Sequence, residues 1–495
     1  MVLDRARLAE ILGVPAPLGV DAVTGVTHDS REAGPGVAFV AVPGFKRDGT
    51  MFAAEAVRRG SPFAVAEREV SSVPTAVVPN AREALAALAA AVYGNPSERM
   101  EVYGVTGTNG KTTTSYALHA ILAAAHGEAA CGLMTTAGTV SGGERPSTPP
   151  VRTTPEAPEV QRLLAGMRER GVRRVVLEVS SHGIALKRVA GTRFAGALFT
   201  NLTRDHLDLH GSMEEYYRTK RELFRWVASG GPKLVNAEDA HGRRIAAEIE
   251  GVKTFGGTPD ADYRVTSVRA ERGGTAFSLS HDGRSLELRT SLLGPYNVLN
   301  AAGAAAFALE LGTDSEMVGR AVSGMPQVPG RFERVLAAGE FGFEVIVDYA
   351  HTDVGLEAVL KVARGVAEAN GSTGGRVVCV FGAAGERDGD KRPKMGRVAS
   401  ELADRSIVTT DDAYSEDPMK IAREVAAGVA TETGRSEIIL DRREAIRRAL
   451  GRARAGDVVV VAGKGHETVQ HLPEGDVPFH DASVVRELLR ELRRK

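Results

Sequence analysis

The sequence contains little cysteine and has almost no net charge. Only two of its 495 residues are cysteines, Cys131 and Cys379. They lie far apart, which predicts neither a disulfide framework nor a cysteine metal site and fits a reducing compartment. The 62 Lys and Arg residues nearly balance the 63 Asp and Glu residues, giving a formal net charge of -1. The overall charge therefore does not indicate nucleic acid as the main partner, and an anionic ligand would need local clusters of cations.

Long apolar runs are also lacking. No window approaches about 18 uninterrupted apolar residues, so we expect no membrane span. The first residues, MVLDRARLAEILGV, include acidic side chains and no long apolar core, unlike a secretory signal. We find no internal repeat. The 43% apolar and 25% charged residues are typical of a soluble globular protein, and we expect it in the cytoplasm.

Val-rich segments alternate with Ala-, Leu- and Arg-rich segments along most of the chain. This alternation predicts an α/β fold with parallel sheets covered by helices on both faces. The expected strands are 37–42, 174–179, 197–202, 343–349, 376–382 and 457–463, and two of the expected helices are 81–94 and 214–228. The segments GNPSERM (94–100) and MPQVPGR (325–331) indicate boundaries. We therefore predict three domains: 1–98, 99–329 and 330–495.

The stretch EVYGVTGTNGKTTT (101–114) predicts a phosphate-binding loop between a strand and a helix. The usual pattern has Gly, four residues, then Gly-Lys-Ser/Thr. Here Val105 occupies the first glycine position and Gly104 precedes it, so the loop is one residue longer. Backbone N–H groups at a helix N-terminus suit a phosphate, with Lys111 near the terminal phosphates and Thr112 on magnesium. The alternative is a plain Gly-Thr turn.

GxxGTNGKTTT resembles the ATP loop of the Mur ligase superfamily, which also includes the folylpolyglutamate synthetases. The resemblance implies three domains: a central P-loop ATPase-type parallel sheet, a C-terminal Rossmann-like domain and a smaller N-terminal UDP-binding α/β domain. It also implies ATP and Mg²⁺ as cofactors, and a carboxylate that is phosphorylated and then attacked by an amine. The implied ATP-binding loop residues are Gly107, Thr108, Asn109, Gly110, Lys111, Thr112 and Thr113.

Two further segments carry the expected metal chemistry. Glu178 ends a predicted strand in RRVVLEVSSHGIALKR (173–188), and its carboxylate could complete a magnesium site with Thr112. Alone, it could equally be a solvated glutamate, but EVSSHG resembles the tripeptide-forming members of the superfamily. In TNLTRDHLDLHGSMEEYYRTKRELF (200–224), the resemblance implies that His206 binds a second magnesium and that Lys220 is carbamylated. Because no HExxH glutamate or cysteine pair accompanies His206 and His210, zinc is not indicated.

The resemblance implies that Thr153, Thr154, Ser180 and Arg188 contact a muramoyl-peptide substrate. By itself, Thr-Thr-Pro before a helical segment predicts a capped helix N-terminus with proline in the first turn, and both roles can hold. Leu186 stands where the family has a glutamine. In the first domain, THDSREAGPGVAFVAVPGFKRDGTMF (27–52) resembles the diphosphate-binding segment of the same enzymes. The matching positions are Ser30, Phe45, Lys46 and Arg47.

The third domain is expected to meet the nucleotide and the incoming amino acid. The positions that match nucleotide contacts are Asn297, Arg331, Asp348 and His351, and Asn300 also matches. The implied amino-acid-binding residues are Arg387, Asp411, Asp412, Tyr414, Gly463 and Glu467. Arg387 would bind the α-carboxylate and Glu467 the amino group, a suitable pair for a zwitterion.

The segment Asp-Asp-Ala-Tyr (411–414) departs from the Asp-Asn-Pro-Arg of the diaminopimelate-adding enzymes. Tyr414 has no charge with which to hold a far-end carboxylate, and Asp412 adds a negative charge. These two residues favour lysine or another dibasic amino acid, although the lysine-adding pattern is not matched either. The acceptor stays open between lysine-type amino acids and meso-diaminopimelate.

The resemblance as a whole implies an ATP-dependent ligase of peptidoglycan biosynthesis. It would add a diamino acid to UDP-N-acetylmuramoyl-L-alanyl-D-glutamate through an acyl phosphate, with closure of the third domain in the cycle. We expect a monomer without nucleic acid as partner. The alternatives are another amide ligase of the superfamily, such as a folylpolyglutamate synthetase, and a non-catalytic nucleotide-binding scaffold.

Overall fold

The computed structural model describes residues 1–44, 47–144, 152–205, 207–271, 273–370, 375–429 and 436–494. The chain divides into two compact units. Unit 1 comprises Met1–Val268, Ala276–Arg289 and Leu299–Ser323, and unit 2 comprises Arg269–Thr275, Thr290–Val298 and Gly324–Lys495. Within the described ranges, no helix is both long enough and apolar enough to cross a membrane. The predicted α/β class is confirmed.

The first part of unit 1 is built on a parallel four-stranded sheet with strand order β3-β4-β5-β6. A short antiparallel pair, β1 and β2, precedes it. The strands are β1 (Leu3–Asp4), β2 (Ala22–Val23), β3 (Gly25–Thr27), β4 (Val37–Val40), β5 (Ala64–Ala66) and β6 (Thr75–Val77). The helices are α1 (Arg5–Leu12), α2 (Ala53–Arg58) and α3 (Ala81–Val92), with 3-10 turns at Ser30–Glu32, Gly49–Phe52 and Pro96–Glu98. Helix α3 buries an alanine- and leucine-rich face against this sheet.

A ten-stranded sheet forms the larger part of unit 1, with strand order β16-β15-β14-β13-β12-β11-β7-β10-β8-β9. Its strands are β7 (Glu101–Thr106), β8 (Cys131–Thr135), β9 (Gly138–Ser141), β10 (Arg174–Glu178), β11 (Gly196–Phe199), β12 (Lys233–Asn236), β13 (Val252–Gly256), β14 (Tyr263–Glu271), β15 (Gly274–His281) and β16 (Arg284–Thr290). Strands β7, β8, β10, β11, β12 and β13 pair in parallel. The edge strand β9 is antiparallel to β8.

Helices cover this sheet, as continuous buried strands require. They are α4 (Lys111–His126), α5 (Ala157–Glu169), α6 (Ser181–Ala185), α7 (Leu207–His210), α8 (Met213–Arg225), α9 (Ala240–Glu248), α10 (Pro295–Glu310) and α11 (Ser315–Ser323), with a 3-10 turn at Glu128–Ala130. The parallel pairing brings the carboxyl ends of β7, β10 and β11 to one edge, where open α/β sheets bind their ligands.

Unit 2 has a six-stranded sheet with strand order β17-β18-β22-β19-β20-β21. Its strands are β17 (Glu333–Arg334), β18 (Glu344–Asp348), β19 (Val377–Phe381), β20 (Arg405–Val408), β21 (Ser436–Ile438) and β22 (Val458–Ala462), and a separate hairpin is formed by β23 (Val469–Leu472) and β24 (Gly475–Pro478). The helices are α12 (Asp353–Ala369), α13 (Lys391–Leu402), α14 (Pro418–Ala426), α15 (Arg442–Arg452) and α16 (Asp481–Arg493), with a 3-10 helix at Leu336–Phe341. In the six-stranded sheet, as far as the structure describes it, the strands pair in parallel except the edge strand β17, and the β23–β24 pair is antiparallel.

Candidate active site

The predicted phosphate loop lies between β7 and α4. Gly107 and Gly110 adopt φ angles of 150° and 82°. A Cβ atom at Gly107 would lie 1.9 Å from Thr200 Oγ1, and one at Gly110 would lie 2.2 Å from Asn300 Oδ1. Both positions therefore require glycine. Because Gly110 contributes no side-chain cap, it leaves the first N–H groups of α4 uncovered by its own atoms, as an anion site at a helix N-terminus needs.

The loop is supported by the chain that leaves β11. The N–H of Thr108 donates to the Asn201 carbonyl at 2.8 Å, and the N–H of Asn109 donates to Asn201 Oδ1 at 2.9 Å. The Thr200 hydroxyl donates to the Asn109 carbonyl at 2.6 Å. The sequence analysis missed Thr200 and Asn201 as loop supports. Their position directly after a predicted strand was the available signal, because neighbouring parallel strands end at the same edge.

Thr112 and Glu178 meet at this edge. The Thr112 hydroxyl donates to Glu178 Oε2 at 3.0 Å, and the N–H of Thr136 donates to the same oxygen at 3.1 Å. Thr112 is 3% exposed and Glu178 is 1% exposed. A hydroxyl and a carboxylate oxygen at this separation fit the ligand preferences of Mg²⁺, which takes few protein oxygens together with phosphate and water.

Lys220, on α8, contacts the same loop. Its side chain is almost fully buried, and Nζ donates to the Gly107 carbonyl at 2.7 Å. Burial, and secondly the Lys111 ammonium, lower the pKa of Lys220 well below its usual range. Lys111 Nζ donates to the Thr108 carbonyl at 2.9 Å. Lys220 is thus an amine with a tendency to be neutral, beside a loop built for phosphate.

His206, which was predicted to bind a second magnesium ion, lies outside the described residues. His210 is 8% exposed, and its ring stacks on Tyr216 with centroids 4.7 Å apart. The Tyr216 hydroxyl lies 3.2 Å from Thr108 Oγ1. Tyr216 therefore links the histidine-containing segment to the phosphate loop.

The expectation that threonine caps the helix after residue 154 was wrong. Helix α5 begins at Ala157 with Glu156 as its N-cap residue, and Pro158, rather than Pro155, is in its first turn. The Thr154 hydroxyl instead donates to the Glu178 carbonyl at 3.1 Å and accepts the N–H of Ser180 at 2.9 Å. This tertiary pairing explains the shift, because a fully buried hydroxyl that bonds β10 cannot also cap a helix.

The predicted muramoyl-peptide residues cluster around this pairing. Ser180 Oγ lies 3.1 Å from Thr154 Oγ1, and Arg188 donates to the Thr154 carbonyl at 3.1 Å. Thr153 Oγ1 donates to Thr136 Oγ1 at 3.3 Å. Thr153, Thr154, Ser180 and Arg188 therefore lie together beside Glu178.

Two of the four predicted diphosphate-binding positions in the first domain, Phe45 and Lys46, lie outside the described residues. Ser30 begins the 3-10 turn Ser30–Glu32, which is capped by Asp29. The Arg47 carbonyl accepts the N–H of Gly44 at 3.1 Å.

In unit 2, Arg331, Asp348 and His351 surround Tyr349. The Arg331 guanidinium lies 4.4 Å from the Tyr349 ring centre, and His351 Nδ1 lies 2.8 Å from the Tyr349 carbonyl oxygen. Asp348 accepts the N–H groups of Phe332 and Ala350, yet burial raises its pKa. Asn297, earlier in the chain but in the same unit, donates to the Leu293 carbonyl at 2.8 Å.

The predicted acceptor residues enclose a buried lysine that the sequence analysis missed. Lys464 Nζ lies 2.8 Å from Asp412 Oδ1 and 2.9 Å from Glu467 Oε2. Its side chain has no exposed surface, and although burial lowers its pKa, the carboxylates of Asp411, Glu467 and Asp412 outweigh burial and raise it. A Cβ atom at Gly463 would lie 2.4 Å from Asp411 Oδ2. The sequence analysis treated the negative charge of Asp412 as unpaired, but in the structure Asp412 forms an ion pair with Lys464.

Arg387 and Tyr414 lie next to each other, with the guanidinium carbon 6.0 Å from the ring centre. Tyr414 has a φ angle of 51° and stacks on His471, with centroids 5.2 Å apart. Glu467 Oε1 accepts the Tyr349 hydroxyl at 3.2 Å. The acceptor residues of the sequence analysis thus occupy two loops at the carboxyl ends of β19 and β20 and the segment after β22.

A glycine loop at a helix N-terminus, beside a buried threonine and glutamate at the carboxyl edge of a parallel sheet, defines a nucleotide-binding α/β protein. Three family models match the chain: the Mur ligase family catalytic domain at residues 22–93, the Mur ligase middle domain at 105–308 and the Mur ligase glutamate ligase domain at 330–465. The chain belongs to the Mur ligase family and is an enzyme of the ligase class, with the three-domain fold of that family.

Relatives match along nearly the whole chain. A UDP-N-acetylmuramoyl-L-alanyl-D-glutamate–2,6-diaminopimelate ligase of Solibacter usitatus is 39% identical over 498 residues, covering 98% of each chain. A protein of the same name from Geobacillus kaustophilus is 42% identical, covering 95% of each chain. A solved structure of a ligase with this name is 29% identical with a TM-score of 0.67 over 100% of both chains. MurF from Acinetobacter baumannii, at 20% identity and a TM-score of 0.66, shares the fold.

Proposed function

We propose that this protein is an ATP-dependent ligase of peptidoglycan biosynthesis that acts in the cytoplasm. It joins 2,6-diaminopimelate to the D-glutamyl carboxylate of UDP-N-acetylmuramoyl-L-alanyl-D-glutamate. The observation that carries the proposal is the convergence of the phosphate loop, the Thr112–Glu178 pair and the buried Lys220 at one edge of the sheet. Relatives named for this reaction, with about 40% identity over nearly the full length, support the substrates.

The acceptor in this proposal differs from the lysine-type amino acid that the sequence favoured. That preference rested on the negative charge of Asp412 and on the uncharged Tyr414. Lys464 forms an ion pair with Asp412 and is shared with Glu467, so the charge of Asp412 is partly compensated and is weaker support for a dibasic acceptor. Arg387 lies beside Tyr414, but it is assigned to the α-carboxylate of the acceptor. The names of the relatives are therefore what supports diaminopimelate.

In the first half of the reaction, the D-glutamyl carboxylate oxygen attacks the γ-phosphorus of ATP and ADP leaves. The loop N–H groups and Lys111 hold the phosphates, so charge that develops on them is met by preorganised donors. Thr112 and Glu178 would hold Mg²⁺, which neutralises phosphate charge when bound. Thr153, Thr154, Ser180 and Arg188 lie on the Glu178 side and orient the peptide carboxylate.

Lys220 is the residue we assign to carbamylation. Its neutral Nζ attacks carbon dioxide, forming an N–C bond and releasing one proton, and the lysine becomes an anion. The lowered pKa of Lys220 supports this step, because only the neutral amine is nucleophilic. The carbamate oxygens would join His206 as ligands for a second Mg²⁺. Gly107 would orient the carbamate nitrogen through its carbonyl.

In the second half, the acceptor amine attacks the acyl phosphate. A C–N bond forms, the C–O bond to phosphate breaks, and the amine loses a proton. Arg387 binds the α-carboxylate of the acceptor and Glu467 its amine. Asp411, Gly463 and Tyr414 complete the pocket. Asn297, Arg331, Asp348 and His351 are the unit 2 residues that the family resemblance assigns to nucleotide binding. We expect the enzyme to work as a monomer.

Substrate-dependent phosphate release tests the proposal against its alternatives. The purified chain is incubated with ATP, Mg²⁺ and UDP-N-acetylmuramoyl-L-alanyl-D-glutamate, and diaminopimelate, L-lysine or L-ornithine is added. We expect release that requires both the dipeptide and diaminopimelate. Release with a folate and glutamate instead would favour a folylpolyglutamate synthetase. ATP binding without release under any condition would favour a scaffold.

A further inference from the structure

The proposed acceptor pocket depends on two loops that follow neighbouring strands of unit 2. The loop at 382–390 follows β19 and carries Arg387, and the loop at 409–417 follows β20 and carries Asp412 and Tyr414. Strands β19 and β20 pair in parallel, so both loops leave the sheet at the same edge. Strand pairing brings the loops close together, but it does not fix their side chains.

A buried arginine joins the two loops. Arg392, in the first turn of α13, is 3% exposed. One of its guanidinium nitrogens donates to the Ala384 carbonyl in the first loop at 3.1 Å. The same nitrogen and its neighbour donate to both carboxylate oxygens of Glu416 in the second loop, at 3.1 and 3.0 Å. Glu424, on α14, is a second carboxylate on the same guanidinium, with Oε2 2.6 Å from the Arg392 nitrogen.

The loops are also bonded directly to each other. The N–H of Gly385 donates to the Asp412 carbonyl at 2.7 Å, and the N–H of Glu386 donates to Glu416. Ser415 Oγ donates to Glu386 Oε1 at 2.7 Å. Glu416 is therefore the centre of the contact, because it accepts both the Arg392 fork and a backbone N–H of the opposite loop.

This framework holds a backbone conformation that costs free energy. Glu386 and Tyr414 have φ angles of 51°, which residues other than glycine adopt at a cost of about 1 kcal/mol or more each. Glu386 directly precedes Arg387, and Tyr414 is itself a predicted acceptor residue. Such conformations persist only where surrounding contacts enforce them.

We propose that Arg392, acting through Glu416, is a positioning residue for the acceptor amino acid. It holds the Arg387 loop against the 411–414 loop, so that the two sides of the acceptor pocket keep one fixed separation. Arg392 does not touch the acceptor itself. The inference rests on the proposed function, because it takes these loops to be the acceptor site.

The test compares the KM values of the three substrates in Arg392→Lys and in a matched control, Arg364→Lys. Lysine keeps the charge at residue 392 but cannot reach Glu416 and Ala384 in a fork. Arg364 also bonds a carboxylate and a carbonyl in unit 2, those of Asp404 and Leu402, away from both loops. We expect Arg392→Lys to raise the acceptor KM roughly 10- to 100-fold, with the KM values of ATP and the UDP-dipeptide within about twofold of wild type. Arg364→Lys should leave all three unchanged.

Glu416→Gln provides a second variant in case Arg392→Lys folds poorly. It keeps the size of the side chain and weakens the fork, so the acceptor KM should rise in the same direction by a smaller factor. An unchanged acceptor KM in either folded variant, or an equal loss for all three substrates, would overturn the inference. Wild-type protein without acceptor-dependent phosphate release would instead contradict the proposed function, so the two failures are distinguishable.

Discussion

Lys220 has surroundings that its sequence neighbours do not reveal. Within RTKRELF it would ordinarily be a solvated lysine on a helix face, yet it is 1% exposed and bonded to the Gly107 carbonyl. Burial of a cation is costly, and burial together with the Lys111 ammonium outweighs the attraction of Asp205 and Glu178, so the lowered pKa of Lys220 favours its neutral form. The family resemblance marked this residue. The local sequence could not, because its burial depends on a loop more than a hundred positions away.

The lowered pKa of Lys220 leads to a prediction about pH and bicarbonate. Above the lowered pKa the amine is neutral and can carry a carbamate, and as pH falls through that pKa it becomes protonated and the carbamate is lost. We expect added bicarbonate to restore part of the wild-type rate at the acidic end of the pH profile. Lys220→Arg, which stays charged throughout, should be slower by about 100-fold or more and unresponsive to bicarbonate. Phosphate-release rates against pH, with and without bicarbonate, check this, and a bicarbonate-independent wild-type profile would contradict it.

Lys464 leads to a prediction about stability. Lys464→Met leaves the carboxylates of Asp412 and Glu467 without their buried cation, which should destabilise the protein by about 3 to 5 kcal/mol. Lys361→Met removes an exposed helical ion pair and should change stability by less than about 0.5 kcal/mol. Thermal melting of both variants checks the difference. The loss of stability in Lys464→Met should become smaller as pH falls, because the carboxyl groups of Asp412 and Glu467 become neutral. A loss equal to that of Lys361→Met would contradict this role of Lys464.

At the scale of elements, the phosphate loop is a strand, a turn and a helix whose shape depends on two glycines. A Cβ atom at Gly110 would meet Asn300 Oδ1 at 2.2 Å, and the φ angle there is 82°. Gly127, at the other end of α4, has a φ angle of 87° but nothing within 4 Å of its would-be Cβ. The two glycines differ in backbone region: Gly110 is left-handed, with a ψ angle of -10°, whereas Gly127, with a ψ angle of 142°, lies in a region open almost only to glycine. Only Gly110 belongs to the loop.

This pair separates loop function from backbone strain. Gly110→Ala should weaken ATP binding about 10-fold or more, since Asn300 must move and the loop with it. Gly127→Ala should destabilise the protein by about 1 to 3 kcal/mol, because alanine rarely adopts this backbone conformation, and leave ATP affinity unchanged. Calorimetric titration with ATP and Mg²⁺ measures the ATP affinity of both variants. Equal affinities would show that the loop tolerates a side chain at Gly110.

Most elements around the site could be predicted from the sequence. The strands expected at 174–179, 376–382 and 457–463 are present as β10, β19 and β22, because continuous valine runs fit buried parallel strands. The predicted start of α5 was wrong because the Thr154 hydroxyl bonds β10 instead of capping the helix. The Lys464–Asp412 pair joins residues 52 positions apart in the chain, and no local pattern indicates which charges meet across such a distance.

At the scale of the whole molecule, the chain combines a family fold with a departure in one loop. The three family models match from residue 22 to residue 465, and relatives match beyond them on both sides. The boundaries at 98 and 329 stay predictions. Asp412 forms an ion pair with Lys464, and Tyr414 lies beside Arg387 and stacks on His471. The 411–414 segment departs from the diaminopimelate-adding pattern in sequence, but it has neighbours that the sequence alone does not show.

Phosphate release from ATP in the presence of UDP-N-acetylmuramoyl-L-alanyl-D-glutamate, with each diamino acid in turn, tests the proposed function most directly. The function predicts turnover with diaminopimelate, little or none with L-lysine or L-ornithine, and a product heavier than the dipeptide by one diaminopimelyl residue. Turnover with lysine or ornithine and none with diaminopimelate would contradict the assigned acceptor. No release with any diamino acid would contradict the assigned reaction.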